Sequence, residues 1–286
     1  MAIANILVPI AGVPQDAVAL ETALAAAKPF AAHVSALFVL SDEHGPTGDS
    51  GWQTAPDTAR QIAEAHAKVT SRLKESARET FAACVLHAGA KVAALADRSG
   101  RVTASWSEET GKVSQVIARN AHFADLVVFP APAGVQDDRM HDAFMHTLLR
   151  TERPVLLSPQ SPPERVGTKV AVGWDDGLAA SHALVAALPF LELAGSVKML
   201  CVRKEASSTL DLAEVKDYLA LHGVKVSELS IVRTGRPIGE ALLDAAAGCD
   251  LIVVGGYGHS RTFESIFGGV TEHITSHPRI PILMVH

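Results

Sequence analysis

Short apolar runs alternate along this chain with longer segments rich in Ala and Leu. In the first part of the chain the apolar runs are NILVPIAG (5–12), VSALFV (34–39) and ADLVVF (124–129), and RPVLLSP ends the series. Runs that are apolar at nearly every position are typical of strands in a parallel sheet, because helices cover both faces and neither face meets water. The pattern therefore predicts an α/β fold.

The same order of elements occurs a second time. KVAVGWDD (169–176), VKMLCV (197–202), CDLIVV (249–254) and the final IPILMVH repeat the earlier runs, with Asp250 in the position of Asp125. Such internal repetition predicts two doubly wound, Rossmann-like domains, each with a mostly parallel five-stranded sheet. We place the domains at 1–158 and 169–286, and the Pro-rich segment 159–168 is predicted to be an extended linker.

Three further segments have a recognisable pattern. Ala- and Leu-rich helices are expected to begin near Asp16 and Ser181, and a longer helix is expected from about Thr58 to Ala83. Residues 42–58 combine Gly, Pro, Asp, Ser and Thr, which predicts a surface loop that only the first half has.

Composition excludes several classes of function. The chain of 286 residues is 48% hydrophobic and 20% charged with a formal charge of −6, and each half has a small excess of acidic residues, which argues against binding to nucleic acid. No apolar run reaches membrane-spanning length, and Cys84, Cys201 and Cys249 are far apart without a CxxC pair. We expect a cytoplasmic protein with free thiols and no association with a membrane.

Glycines cluster after the fourth predicted strand of the second half, in GGYGHSRTFESIFGGVTEH (255–273). Gly255 and Gly258 predict a tight loop, and Gly268 and Gly269 precede a helix predicted to begin near Val270. Backbone N–H groups at such glycines approach an anion without obstruction by Cβ, and a helix N-terminus adds unpaired donors and the positive end of its dipole. These features predict a phosphate-binding segment.

The segment resembles the nucleotide-binding members of the universal stress protein family. Their motif of glycine, two residues, glycine, nine residues and glycine fits Gly255, Gly258 and Gly268, and Asp175 matches their aspartate after the first strand. The resemblance extends to both halves apart from the loop and the linker, and it implies an adenine nucleotide, ATP above all, with Mg²⁺ accompanying it. It also implies that Asp175 lies near the adenosine end and Val202 near adenine.

One position departs from the family pattern in the second half. The motif continues with Ser or Thr, where this chain has Gly269. The N–H groups of Gly269 and Val270 and the side chain of Thr271 are the groups that would contact phosphate instead.

The first half departs at every key position. When Asp125 is aligned with Asp250, Pro130, Ala133 and Ala143 stand where the three glycines stand, and Ala11 stands in place of Asp175. Proline has no N–H to donate, and Ala is strained at a positive φ. The first half is therefore expected to lack the phosphate segment and to serve as a structural or partner-binding domain.

Simpler interpretations of the same residues remain open. The glycines could serve turns and close packing, and Asp175, Asp176 and Gly177 could form only a turn that starts a helix. His273 and His277 are spaced to share a metal ion, but without a third ligand in view surface histidines are the expected interpretation, and no metal site is predicted.

Three functions compete. The first is a stress-response regulator whose second domain binds ATP, as the resemblance implies, and the second is a scaffold of the same fold that works without nucleotide. The third, an enzyme, ranks last because no Walker lysine or catalytic triad is present, although weak ATPase activity is not excluded. Single-domain relatives commonly dimerise through their final strands, so RPVLLSP and IPILMVH are expected to pair within one chain as a pseudo-dimer, and homodimerisation stays possible.

Overall fold

Strands and helices alternate along most of the described residues in the computed structural model. The structure describes residues 2–41, 56–95, 100–131, 138–202, 212–232, 237–256, 274–275 and 278–286. The strands are β1 (Asn5–Ile10), β2 (His33–Leu40), β3 (Lys91–Val92), β4 (Thr103–Thr110), β5 (Leu126–Phe129), β6 (Val155–Leu157), β7 (Lys169–Trp174), β8 (Ser196–Val202), β9 (Val226–Val232), β10 (Leu251–Gly255) and β11 (Ile282–Val285). The helices are α1 (Gln15–Ala27), α2 (Pro56–Ala88), α3 (Val113–Ala121), α4 (Asp138–Arg150), α5 (Leu178–Leu193), α6 (Leu212–Leu221) and α7 (Ile238–Ala245). The α/β fold with a mostly parallel sheet is confirmed.

All eleven strands belong to one sheet, in the order β3-β4-β2-β1-β5-β6-β11-β10-β7-β8-β9. Neighbouring strands are parallel within each half, and the two halves meet where β6 pairs antiparallel with β11, with Leu156 opposite Leu283. The predicted pairing of the final strands is thus present within the chain. It removes the two apolar edges that Val155–Leu157 and Ile282–Val285 would otherwise expose.

Helices cover both faces of the sheet. The strand residues of one face pack with α1, α2, α5 and α6, and this cluster contains residues of both halves. Those of the other face pack with α3, α4 and α7. Phe30 and Phe190 meet edge to face across the halves with ring centroids 5.2 Å apart. Burial on both faces explains why the strands are apolar at successive positions.

A pair of equivalent aspartates ties β1 and β7 to the strands beside them. Asp125 accepts hydrogen bonds from the N–H groups of Ala4 (2.8 Å) and Asn5 (3.0 Å). Asp250 accepts one from the N–H of Lys169 (2.9 Å) and another from the Thr168 hydroxyl. The alignment of Asp125 with Asp250 made from the sequence therefore matches equivalent places in the fold.

Several details differ from the sequence-based expectations. The second half has five strands as expected, whereas the first has a sixth, the two-residue β3. Helix α2 runs for 33 residues and is longer than the expected helix from Thr58 to Ala83. Most of the expected loop 42–58 and the expected helix near Val270 lie outside the described residues. Within the part that the structure describes, no helix is both long enough and apolar enough to span a membrane.

Candidate functional site

The strand order of the second half reverses between β7 and β10. β8 and β10 flank β7 and run parallel to it, so the carboxyl ends of all three strands lie at one edge. Val172 is opposite Val253, which places Asp175, three residues further along, beside the residues that follow β10. Ligands of open α/β sheets bind at such a reversal. This edge is the candidate site.

Asp175 follows β7 directly and begins a turn. Its Oδ1 accepts a hydrogen bond from the Gly177 N–H (3.0 Å), and Gly177 is the N-cap residue of α5. Between them Asp176 has φ +63°, in the left-handed region that Asp tolerates better than most residues. Asp175 therefore forms the turn that was one of the interpretations left open by the sequence. The Asp175 side chain is also exposed at the edge, where a ligand can reach it.

Trp174, the last residue of β7, brings a buried donor to the same place. Its side chain is 7% exposed, and its Nε1 has no hydrogen-bond partner among the described residues. A buried donor without an acceptor costs roughly 1–3 kcal/mol. Trp174 belongs to the core cluster on the α1 and α5 face of the sheet, so its side chain serves packing.

Gly255 ends β10 and packs against the first turn of α5. A Cβ at this position would lie 2.6 Å from the Ala180 nitrogen and 2.7 Å from the Ala179 carbonyl carbon. The close-packing interpretation left open by the sequence accounts for this glycine. Gly256 follows, and its N–H donates to the Val285 carbonyl (2.7 Å).

The structure describes only some of the other predicted site residues. The backbone of Val202 ends β8 at the same edge as Asp175. Gly258, Gly268, Gly269, Val270 and Thr271 lie outside the described residues. The structure therefore brings together Asp175, Val202 and Gly255, and the phosphate segment stays a prediction from the sequence.

Two histidines at this edge carried no recognisable pattern in the sequence. His286 donates from Nδ1 to the Gly256 carbonyl (3.1 Å), and His182 of α5 donates from Nδ1 to the His286 carbonyl (3.1 Å). They link the end of β11 to β10 and to α5, and so fix the backbone next to the glycine segment. The described residues contain no cluster of three or more His, Cys, Asp or Glu that could hold a metal ion.

The equivalent edge of the first half is built differently. Ala11 follows β1 in the position of Asp175, and Pro130 is buried after β5. Ala143, at the position of Gly268, is fully buried inside α4, and Ala133 lies outside the described residues. A helix thus stands where the second half has the third glycine of its motif.

A buried carboxylate occupies the turn after β1. Asp16 is 1% exposed and its Oδ2 accepts hydrogen bonds from the N–H groups of Ala11 (3.2 Å), Gly12 (2.7 Å) and Val13 (3.0 Å). Burial raises the pKa of Asp16 to about 6, while these hydrogen bonds act to lower it. From the sequence, Asp16 is only the expected start of a helix; an acidic residue in the first helical turn is the feature that could have indicated its role.

Comparison with known proteins agrees with this geometry. Residues 169–286 match the model of the universal stress protein family. The second half of the chain is a universal stress protein domain. The match begins at the first residue of β7 and includes the candidate site. Among curated proteins, none matches this chain.

Solved structures extend the likeness to both halves. A universal stress protein from Archaeoglobus fulgidus DSM 4304 is 16% identical with a TM-score of 0.69, and the match covers 98% of this chain and 95% of that chain. A putative universal stress protein from Pseudomonas aeruginosa UCBPP-PA14 is 15% identical with a TM-score of 0.59, and the match covers 99% and 93%. At identities this low the likeness supports a shared fold alone, both for the universal stress protein domain and for the half before it.

Proposed function

We propose that the universal stress protein domain, 169–286, binds ATP or a related adenine nucleotide, and that the chain is a stress-response regulator that responds to its occupancy. The observation that carries the proposal is the parallel pairing of β7 with β10 and β8. It brings Asp175, Val202 and the start of the glycine segment to one edge of the sheet. That edge is where an open α/β sheet binds ligands.

The described residues fit the adenosine part of such a ligand. The exposed carboxylate of Asp175 is an acceptor for a ligand hydroxyl or amino group, and its bond to Gly177 holds it in place. The backbone at Val202 forms the next strand end, where the family resemblance places adenine.

The phosphate part of the proposal rests on the sequence alone. The backbone N–H groups of Gly258, Gly268, Gly269 and Val270, with the Thr271 side chain, are proposed to hold the phosphates, which Mg²⁺ accompanies in solution. Gly269 replaces a residue with a hydroxyl. Loss of one hydrogen bond to a charged group weakens binding by roughly 1.5–3 kcal/mol, so we expect a weaker site than one with Ser or Thr there.

The first half is proposed not to hold this nucleotide. The N–H groups of Ala11, Gly12 and Val13 already donate to Asp16, and Ala143 lies inside a helix. A second negative charge beside a buried carboxylate would be repelled.

A second candidate is a scaffold that works without nucleotide. It is favoured by Gly255, because packing against α5 explains this glycine without a ligand. Under either candidate we propose that the chain is not an enzyme, from the missing catalytic motifs, and that it acts in the cytoplasm. Homodimerisation also stays a proposal.

Calorimetric titration of ATP with Mg²⁺ into the full chain tests the nucleotide proposal. Wild type is expected to bind in the micromolar to low millimolar range. Gly258→Val should abolish the heat of binding, while Ala133→Val, which places the same side chain at the equivalent position of the first half, should leave it unchanged. No heat at millimolar ATP would leave the scaffold as the function.

A second pair of variants tests Asp175 itself. Asp175→Ala is expected to weaken ATP binding at least about tenfold, since it removes a charged hydrogen-bond acceptor. Asp176→Gly is the matched control: it removes a negative charge from the neighbouring residue, and glycine accepts the φ of +63°. Equal affinities of the two variants would show that Asp175 forms only the turn.

A further inference from the structure

The candidate site of the second half touches the first half at Gly256. This buried glycine follows Gly255 directly at the end of β10. A Cβ added to Gly256 would lie 3.4 Å from Cδ2 and 3.6 Å from Cδ1 of Leu148. Leu148 belongs to α4 of the first half, and its side chain is fully buried. A side chain of the first half therefore packs on the backbone that leaves β10.

Gly256 is held on its other sides by the end of β11. Its N–H donates to the Val285 carbonyl (2.7 Å), and its carbonyl accepts a hydrogen bond from His286 Nδ1 (3.1 Å). β11 is also the strand of the second half that pairs with the first half, with Met284 opposite Val155 of β6. Both backbone polar groups of Gly256 are thus bonded to residues next to the joint between the halves.

The backbone just before Gly256 is in direct contact with the edge that contains Asp175. Gly255 lies so close to the first turn of α5 that an added Cβ would be 2.6 Å from the Ala180 nitrogen. Helix α5 begins at the turn that Asp175 forms with Gly177. Packing this close leaves no space that could absorb a displacement, so a shift at this edge also moves Gly256.

Ile274, on the far side of residues 257–273, lies in the same core. It is 1% exposed and belongs to the core cluster of Leu148, which contains residues of both halves. The described residues on either side of 257–273, Gly256 and Ile274, are therefore fixed in a core that the two halves share. Fixing groups before a ligand binds increases affinity, because less conformational freedom is lost on binding.

From these contacts we infer that Leu148 of the first half is a positioning residue of the nucleotide site in the second half. It acts through Gly256, whose backbone it holds at the start of the predicted phosphate segment. The inference rests on the proposed function and gives the first half a part in it. Because coupling between two parts of a protein is reciprocal, a bound nucleotide also acts on α4 through the same contact.

Calorimetric titration of ATP with Mg²⁺ into variants of the full chain tests the inference. Leu148→Ala is expected to weaken ATP binding about fivefold, which is at the lower end of typical coupling between sites. Leu148→Met keeps the side-chain volume and should bind ATP as wild type does.

Phe144→Ala is the matched control on the same helix. Phe144 is buried one turn before Leu148, packs edge to face on Phe129 of the first half, and is not among the atoms nearest to Gly256. It should lower the melting temperature, as Leu148→Ala does, and leave the ATP affinity unchanged. Equal ATP affinities of Leu148→Ala and Phe144→Ala would overturn the inference.

A double variant separates positioning from a general loss of packing. The methyl group of Gly256→Ala would point at Leu148, so in the Leu148→Ala background it fills part of the space that the shorter side chain leaves. The double variant should therefore bind ATP more tightly than Leu148→Ala alone. Equal or weaker binding by the double variant would contradict the contact as the cause.

Exchange of the Gly256 amide proton, followed by NMR without nucleotide, tests the contact independently of ATP. This proton donates to Val285 and should exchange faster in Leu148→Ala than in wild type or in Phe144→Ala. Unchanged exchange would overturn the inference. Wild type that binds ATP while Leu148→Ala binds it equally well would remove only the role of Leu148, whereas wild type without heat of binding at millimolar ATP would remove the proposed function itself.

Discussion

At the scale of single residues, Asp16 makes the stability of the protein depend on pH. Its pKa is raised by burial from 3.8 to about 6, so the folded state holds the proton more tightly than the unfolded state. The stabilisation from this group is full below about pH 4 and is lost as the pH rises through 6. A shift of about two pKa units corresponds to roughly 2–3 kcal/mol.

Asp16→Asn removes this titration and keeps an oxygen to accept the three N–H groups. Urea unfolding at pH 4.5 and pH 7.5 measures the effect. Relative to wild type, the variant should gain about 2 kcal/mol in free energy of unfolding between the two pH values, since pH 4.5 already lies above the ordinary pKa of 3.8. A constant difference between the two proteins would show that the carboxyl titrates as if solvated.

Some residues of the candidate site could be predicted from the sequence and others could not, for a physical reason. Asp175 could be predicted from the sequence because it directly follows an apolar run, and ligands bind at strand ends in this class of sheet. The role of Asp16 could not be predicted from the sequence, since it depends on how the turn after β1 folds back on the helix. The same holds for His182 and His286, whose hydrogen bonds join residues far apart in the chain.

At the scale of elements, the contact between β10 and α5 is expected to tolerate no side chain at Gly255. Gly255→Ala would force a Cβ against the backbone of Ala179 and Ala180, and overpacking of this kind costs roughly 1–3 kcal/mol or more. Gly256→Ala is the matched control, because its Cβ would lie 3.4 Å from the nearest atoms, Leu148 Cδ2 and Val285 O. Thermal unfolding of both variants checks the expectation, and equal melting temperatures would contradict it.

The sequence predicted the central strands better than the strands towards the ends of the sheet. β1, β5, β7 and β10 are buried on both faces and have no polar residue apart from Asn5 and Lys169 at the start of β1 and β7. β4, with the sequence TASWSEET, is only partly buried and carries alternating polar residues, so no continuous apolar run marked it. The bounds of α2 were also missed, because the described side chains of α2 before Thr70 are exposed and so give no core-facing pattern that marks a start.

At the scale of the whole molecule, the two halves are expected to unfold together. They share one eleven-stranded sheet through β6 and β11, and one core cluster contains residues of both. The chain has three tryptophans, of which Trp106 lies in the first half and Trp174 in the second. In variants that keep only one of these two, with the others changed to Phe, fluorescence should report the same urea midpoint. Separate midpoints would contradict the continuity of the sheet.

The central claim is that the second half, and not the first, holds the nucleotide. Hydrogen exchange measured by mass spectrometry, with and without ATP and Mg²⁺, tests it most directly because it locates the ligand. We expect slower exchange at the ends of β7 and β10 and in the glycine segment 255–273, with no change at the ends of β1 and β5. Protection at the ends of β1 and β5, or protection nowhere at millimolar ATP, would contradict it.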